Sequence, residues 1–196
     1  MFKTLSEIAT IKAGYPFRGS IIADEQAITK VIQVRDVNTF GDINHSQLIK
    51  TQLTGKREPD WLISGDILFI AKGPRNTAAC INFSASESDV ICSPHFFLVK
   101  IKRQFEGTID PNFIAWQLNQ SHAQRYFKVS AEGSLQVSIR RNVLEEVSLS
   151  IPDIAKQRTI ANLYLASLKE QALLNKLIKN RQQQLSVISD DLMKEQ

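Results

Sequence analysis

From Asp153 onwards the chain contains no Gly, Pro, Phe or Trp and is rich in Leu, Ile, Gln and Lys. A stretch of that length, free of helix breakers and made of good helix formers, has one regular conformation open to it, a long α-helix. Within it Leu174, Ile178, Arg181, Leu185, Ile188 and Leu192 recur at the alternating four-three spacing of a coiled-coil seam, interrupted by Arg181. Carried backwards, the same spacing gives Gln171, Ser167, Tyr164 and Ile160, a more polar half, while Leu163, Leu168 and Leu173 form a second stripe placed to meet the globular part or another chain. At about 1.5 Å per residue, a helix from Ile154 to Met193 would be roughly 60 Å long. One helix cannot bury such an apolar row on itself, so this one needs a partner.

The helix has a marked beginning. At Ile151-Pro152-Asp153 the proline disfavours continuation of the preceding segment, and the aspartate can cap a helix that starts after it. Ahead of this junction lie all ten Phe, all eight Gly and both Trp, mixed with β-branched runs. The sequence therefore divides into a globular region, residues 1–151, and a long helical region, residues 152–196. In the first, Thr4-Leu5-Ser6-Glu7 has the order of a capping box and predicts a short helix from Leu5 to Ile11. Strands are predicted over Lys30 to Val37, Ile67 to Ala71, Ala78 to Phe83 and Phe96 to Lys102, the last with Phe97, Val99 and Ile101 on one face. Asp110-Pro111 opens a second helix that runs through Phe113, Ile114, Trp116, Leu118 and Tyr126 to near Lys128. Gly133 to Ile139 reads as a strand, Arg141-Asn142 as a turn, and Val147, Leu149 and Ile151 as one face of a further strand. This mixture makes the globular region α+β and β-rich, with a highly twisted or barrel-like sheet.

Several function classes are excluded by features the sequence lacks. No apolar run approaches the roughly 18 residues of a membrane span, and Met1-Phe2-Lys3-Thr4 lacks the order of a signal peptide. Cys80 and Cys92 stand outside any metal-binding spacing, so a reduced, cytoplasmic chain without a bound metal is expected. His45, His95 and His122 have no partner at ligand spacing and read as surface or packed histidines. Neither a nucleophile elbow nor a phosphate-binding loop is present. The nearest nuclease-like pattern, Pro59-Asp60 with Asp66 and Ile70-Ala71-Lys72, has Ile70 where a second carboxylate would have to hold Mg²⁺. Gly14-Tyr15-Pro16-Phe17 lacks the second proline and the amide or acid of an adenine methyltransferase loop. No catalytic residue and no cofactor of its own are expected.

There remain cationic and amide side chains beside turns. With 24 Lys+Arg against 20 Asp+Glu, the net charge of +4 permits nucleic-acid binding without establishing it. Arg18 comes after two aromatics, Lys72, Arg75 and Asn76 come after a strand, and Gln136 precedes Arg140 and Arg141. Arg and Lys neutralise phosphates, Arg reads guanine edges, and Asn and Gln suit adenine. Taken singly, each is an ordinary solvated loop residue; together on one domain with a pairing helix, they make these seven candidates for DNA contact.

The chain resembles the specificity subunit of type I restriction-modification enzymes. The resemblance is carried by Leu5 to Phe17, by Gly65-Asp66-Ile67-Leu68-Phe69, by Asp110-Pro111-Asn112-Phe113-Ile114, by Gly133-Ser134, by Leu149-Ser150-Ile151-Pro152 and by Gln157-Arg158, in that order over nearly the whole chain. It implies a target recognition domain followed by a spacer helix, a unit the family's complete subunit contains twice. It further implies double-stranded DNA and methyltransferase subunits as partners, with S-adenosylmethionine held by the latter, and a restriction and translocation subunit that can join them. A chain with one unit is either half-sized and homodimeric through Leu174, Ile178, Leu185, Ile188 and Leu192, or part of a longer subunit. The alternative is a structural or interaction protein, or an inactive remnant, that assembles partners through its helix without reading DNA.

Overall fold

The computed structural model describes residues 1–83, 88–130 and 137–194. Strand β1 (Phe2–Thr4) leads into α1 (Leu5–Ile8), whose first turn is closed by Glu7, accepting the Thr4 N–H at 2.6 Å and the Thr4 hydroxyl at 3.0 Å. The helix stops at Ile8, short of the predicted Ile11, because the next residues are drawn into β2 (Ala9–Ala13). There Ala9 and Ile11 are buried while Thr10 and Lys12 are exposed, the alternation of a half-buried strand. Next come β3 (Lys30–Ile32), β4 (Ile49–Lys50), β5 (Ile67–Ile70), β6 (Lys72–Gly73), β7 (Ala78–Cys80), β8 (Val90–Cys92) and β9 (Phe96–Ile101). The strand predicted to reach Val37 ends at Ile32, since Val34–Asp36 form a 3-10 turn in which the Asp36 carboxylate accepts the Gln33 N–H at 2.8 Å.

The helix predicted over 111–128 is two helices, α2 (Pro111–Leu118) and α3 (Ser121–Ser130). Asp110 caps the first as expected, its carboxylate accepting the Asn112 and Phe113 N–H groups. The break serves Asn119, whose side-chain amide both accepts from the Ala78 N–H and donates to the Ala78 carbonyl at 2.8 Å, as a further strand beside β7 would. After β10 (Val137–Ser138) comes α4 (Arg141–Glu146), where the sequence predicts a turn. The pair Arg141-Asn142 suggests a turn, but Leu144 and Val147 are buried and Val143 packs beside them, so one apolar helical face decides the conformation. Strand β11 (Ser148–Ser150) and α5 (Ile154–Lys194) complete the order; Gly133 to Gln136 lie outside the described residues.

The strands form separate sheets rather than a barrel. One has the order β2-β9-β5-β7 and is antiparallel throughout, and a second has the order β4-β3-β8 with β3 and β8 parallel. Two short pairs, β1-β11 and β6-β10, complete the set. Period-two alternation sorts the first sheet between two cores. Ile11, Ile67, Phe69, Ala78 and Val99 face α1 to α4, with the Phe69 and Phe127 rings 4.9 Å apart, while Leu68, Ile70, Ala79, Phe96 and Leu98 face Ile32, Val90 and Cys92 of the second sheet. The outer face of that second sheet, Val31 and Ile91, is covered by Tyr15, Phe17 and Ile21.

The chain separates into two units, Met1–Ala161 and Asn162–Gln196. The composition changes at Ile151-Pro152, just before α5 begins, and the first turns of α5, with Gln157 and Ala161 buried, belong to the first unit. No helix among the described residues is long and apolar enough to cross a membrane.

Candidate nucleic-acid interface

The strand directions gather five loops at one end of the first unit. β2 and β5 run antiparallel to β9, so the loops leaving Ala13 and Ile70 meet the one entering Phe96. β3 and β8 are parallel and in register at Ile32 and Cys92, so both leave toward that end. Residues 14–21, 33–36, 71–77, 93–95 and 137–140 therefore converge. Gly14 makes the first approach possible: a Cβ there would lie 2.1 Å from the Ser93 carbonyl oxygen. Its N–H donates to the Phe96 carbonyl at 3.0 Å, and that of Tyr15 to the Cys92 carbonyl at 2.9 Å. The Ala71 and Lys72 N–H groups both donate to the His95 carbonyl, and the Ile139 N–H to the Ala71 carbonyl at 2.9 Å. Ser138 stands opposite Lys72 in the β6-β10 pair.

These bonds place most of the predicted contact residues together. Arg18 is exposed at the end of the aromatic segment, its backbone N–H tied to the Thr54 hydroxyl at 2.9 Å. Lys72 and Arg75 are exposed on β6 and its turn, and Arg140 is exposed beyond β10. Arg141 is exposed but donates to the Glu145 carboxylate at 2.7 Å, which reduces its value as a phosphate partner. Asn76 has a different role. Its side chain is buried and donates to the Ile70 carbonyl at 2.9 Å, and its backbone carbonyl accepts from Gln124, so it fastens the 71–77 turn instead of facing a base. Gln136 lies outside the described residues.

The same end holds residues that the sequence does not single out for this role. Arg35, on the 3-10 turn, is 63% exposed in its side chain and 3.9 Å from Asp36, whose carboxyl burial holds above its ordinary pKa against the Gln33 N–H and the Arg35 charge. Its signal is hidden because Arg35 falls inside a β-branched run that reads as strand. His95, which the sequence presents as a packed or surface histidine, is exposed in the Ser93-Pro94-His95 turn. Gln33, Arg35, Ser93 and His95, with Phe17, line a cavity of about 400 Å³.

Acidic residues of the nuclease-like pattern are engaged elsewhere. Asp60 is paired with Lys12 and Arg57, and buried Asp66 accepts from the Ile63 N–H and from Lys100 at 2.8 Å. Among the described residues no group of three His, Cys, Asp or Glu is placed to hold a metal ion. Cys92 is fully buried, its thiol pushed up to about 12 by desolvation, and Cys80 is raised by the same cause. In the second unit Leu174, Ile178, Leu185, Ile188 and Leu192 are each more than half exposed, and Leu173, Leu177 and Val187 widen the apolar stripe beside them.

No family model and no curated protein matches this chain. Solved structures do. A chain from a type I restriction-modification system, studied for its complex assembly and conformational transition, aligns at TM-score 0.63 and 16% identity, covering 90% of this chain and 44% of its own. The HsdS subunit from Thermoanaerobacter tengcongensis aligns at TM-score 0.59 and 16% identity over 96% of this chain and 46% of its own. For the type I S subunit from M. genitalium the values are 0.52 and 16% over 87% and 39%. The chain has the fold of type I restriction-modification S subunits, across less than half of their length.

Proposed function

We propose that this chain is the DNA sequence-specificity component of a type I restriction-modification complex, that it reads one short half-site, and that it carries no catalytic site. The observation that carries this reading is the convergence of Arg18, Arg35, Lys72, Arg75 and Arg140 from four separate loops at one end of a fold shared with S subunits. Cations so placed can neutralise a phosphate backbone while neighbouring polar groups read base edges. Methyltransferase subunits would supply S-adenosylmethionine and the base chemistry in a cytoplasmic assembly that a restriction and translocation subunit can join.

The exposed seam of α5 supports pairing with an equivalent helix, from a second copy or from the remainder of a longer subunit. A helix pair then fixes the distance between two recognition domains and hence the gap between half-sites. The test is a map of adenine methylation in DNA from cells expressing this chain with its methyltransferase subunit. An interrupted palindrome is expected for two identical copies, and an asymmetric bipartite site for a different second half. Absence of methylation from a co-purifying, well-folded complex would overturn the reading in favour of a scaffold that does not read DNA.

A further inference from the structure

Two buried polar atoms in the cationic end have no partner among the described residues: the Gln33 side-chain nitrogen and the Ser93 hydroxyl. Ser93 is 1% exposed, and its backbone is fully used, the N–H donating to the Ile32 carbonyl and the carbonyl accepting from Phe96. Leaving such groups unpaired is unfavourable, and native structures rarely retain them without a use. Gln33 and Ser93 are not scattered. They come directly after the C-terminal ends of the parallel, in-register strands β3 and β8, and both line the same cavity of about 400 Å³. Phe17, Arg35 and His95 line the same cavity.

We propose that this cavity is the base-reading site of the domain, in which Gln33 and Ser93 hydrogen-bond the edge of one nucleobase while Arg35 and His95 engage its neighbours or the adjoining phosphate. This rests on the DNA-specificity reading above. The chemistry favours a purine: an amide and a hydroxyl lining one cavity can both donate and accept, as the N6/N7 edge of adenine requires, and Arg35 offers the paired donors that suit guanine O6/N7. Lys72 and Arg75, outside the cavity, then hold the backbone and carry no sequence information.

The experiment is selection from a randomised duplex library by the full-length chain, comparing wild type with Ser93→Ala and Gln33→Met. The Ser93 hydroxyl bonds nothing among the described residues, so Ser93→Ala should melt no lower than wild type. On the duplex selected by wild type, each variant should bind about five- to tenfold more weakly, while its affinity for random duplex stays the same and its selected motif loses preference at one position. If one variant fails to fold, the other carries the test. A wild-type chain that selects a motif, with both variants selecting it unchanged, overturns this inference and leaves the specificity reading standing. A wild-type chain that selects no sequence at all overturns both.

Discussion

Gln157 is the residue on which the start of the long helix depends. It is 0% exposed, and its amide makes three bonds to backbone, accepting from the Asp110 N–H at 3.0 Å and donating to the carbonyls of Thr108 at 3.0 Å and Pro152 at 2.8 Å. Asp110 is the cap of α2, so one side chain ties the beginnings of two helices. Gln157→Ala would leave three backbone groups unpaired at about 1 kcal/mol or more each, and a loss of about 3 kcal/mol is expected in urea unfolding. A loss under half of that would mean water replaces the amide. Asp36 makes a second, pH-dependent case. Burial raises its folded pKa above the ordinary carboxylate value, so its favourable contribution is present below the unfolded pKa and is lost as pH rises through the folded one. Asp36→Asn keeps an acceptor for the Gln33 N–H and removes the buried charge. The variant should therefore match wild type in acid and exceed it at neutral pH. Urea midpoints whose difference is flat or reversed across that range would show that Arg35, not burial, governs the group.

At the scale of elements, Gly14 shows how strongly the candidate interface depends on one close approach. A Cβ there would also sit 2.8 Å from the Ser93 carbonyl carbon and 3.0 Å from the Cys92 oxygen, all backbone atoms that cannot swing away. Gly14→Ala should destabilise the domain by about 1–3 kcal/mol and weaken DNA binding further than that loss of folded protein explains, because it displaces the start of the segment that carries Phe17 and Arg18 from the Ser93 backbone. Titrating the folded fraction alone separates the two effects; unchanged affinity per folded molecule would mean that this loop does not touch DNA. The elements legible in the sequence are those whose signals are local: the capped start of α2, the alternation of β9, and the unbroken helix α5. Elements held by distant partners are not legible. β8 is three residues, buried on both faces and paired in parallel with β3, and no local period marks such a strand. The division of α2 from α3 depends on Asn119 meeting Ala78, a contact no window of sequence contains. The site divides in the same way. Lys72 and Arg75 are legible because they flank a turn, whereas Arg35 and Gln33 are hidden by a 3-10 turn that ends an apparent strand, and Asn76 misleads because its amide is used by the turn itself.

For the whole molecule, the apolar row of α5 still needs a cover. A net charge of +4 is too small to drive DNA binding by itself, so the proposed function requires the affinity to come from placement of cations and from pairing of two domains. Ile178 is 56% exposed and sits at the centre of the stripe formed by Leu174, Leu177 and Leu185, where a coiled-coil partner would bury it. A charge at such a position has no counterion and must be desolvated on pairing, so Ile178→Asp should abolish association while leaving the fold of residues 1–161 intact. In sedimentation equilibrium the wild-type chain is expected at twice 22.1 kDa and the variant at 22.1 kDa, with the same thermal transition for the globular unit. Loss of pairing should also erase the second half-site from the methylation map, because one domain alone has no partner at a fixed distance. If variant and wild type have the same mass and bind the methyltransferase subunit equally well, the seam is not the pairing surface. The row of Leu163, Leu168 and Leu173 would then be the place to introduce the charge.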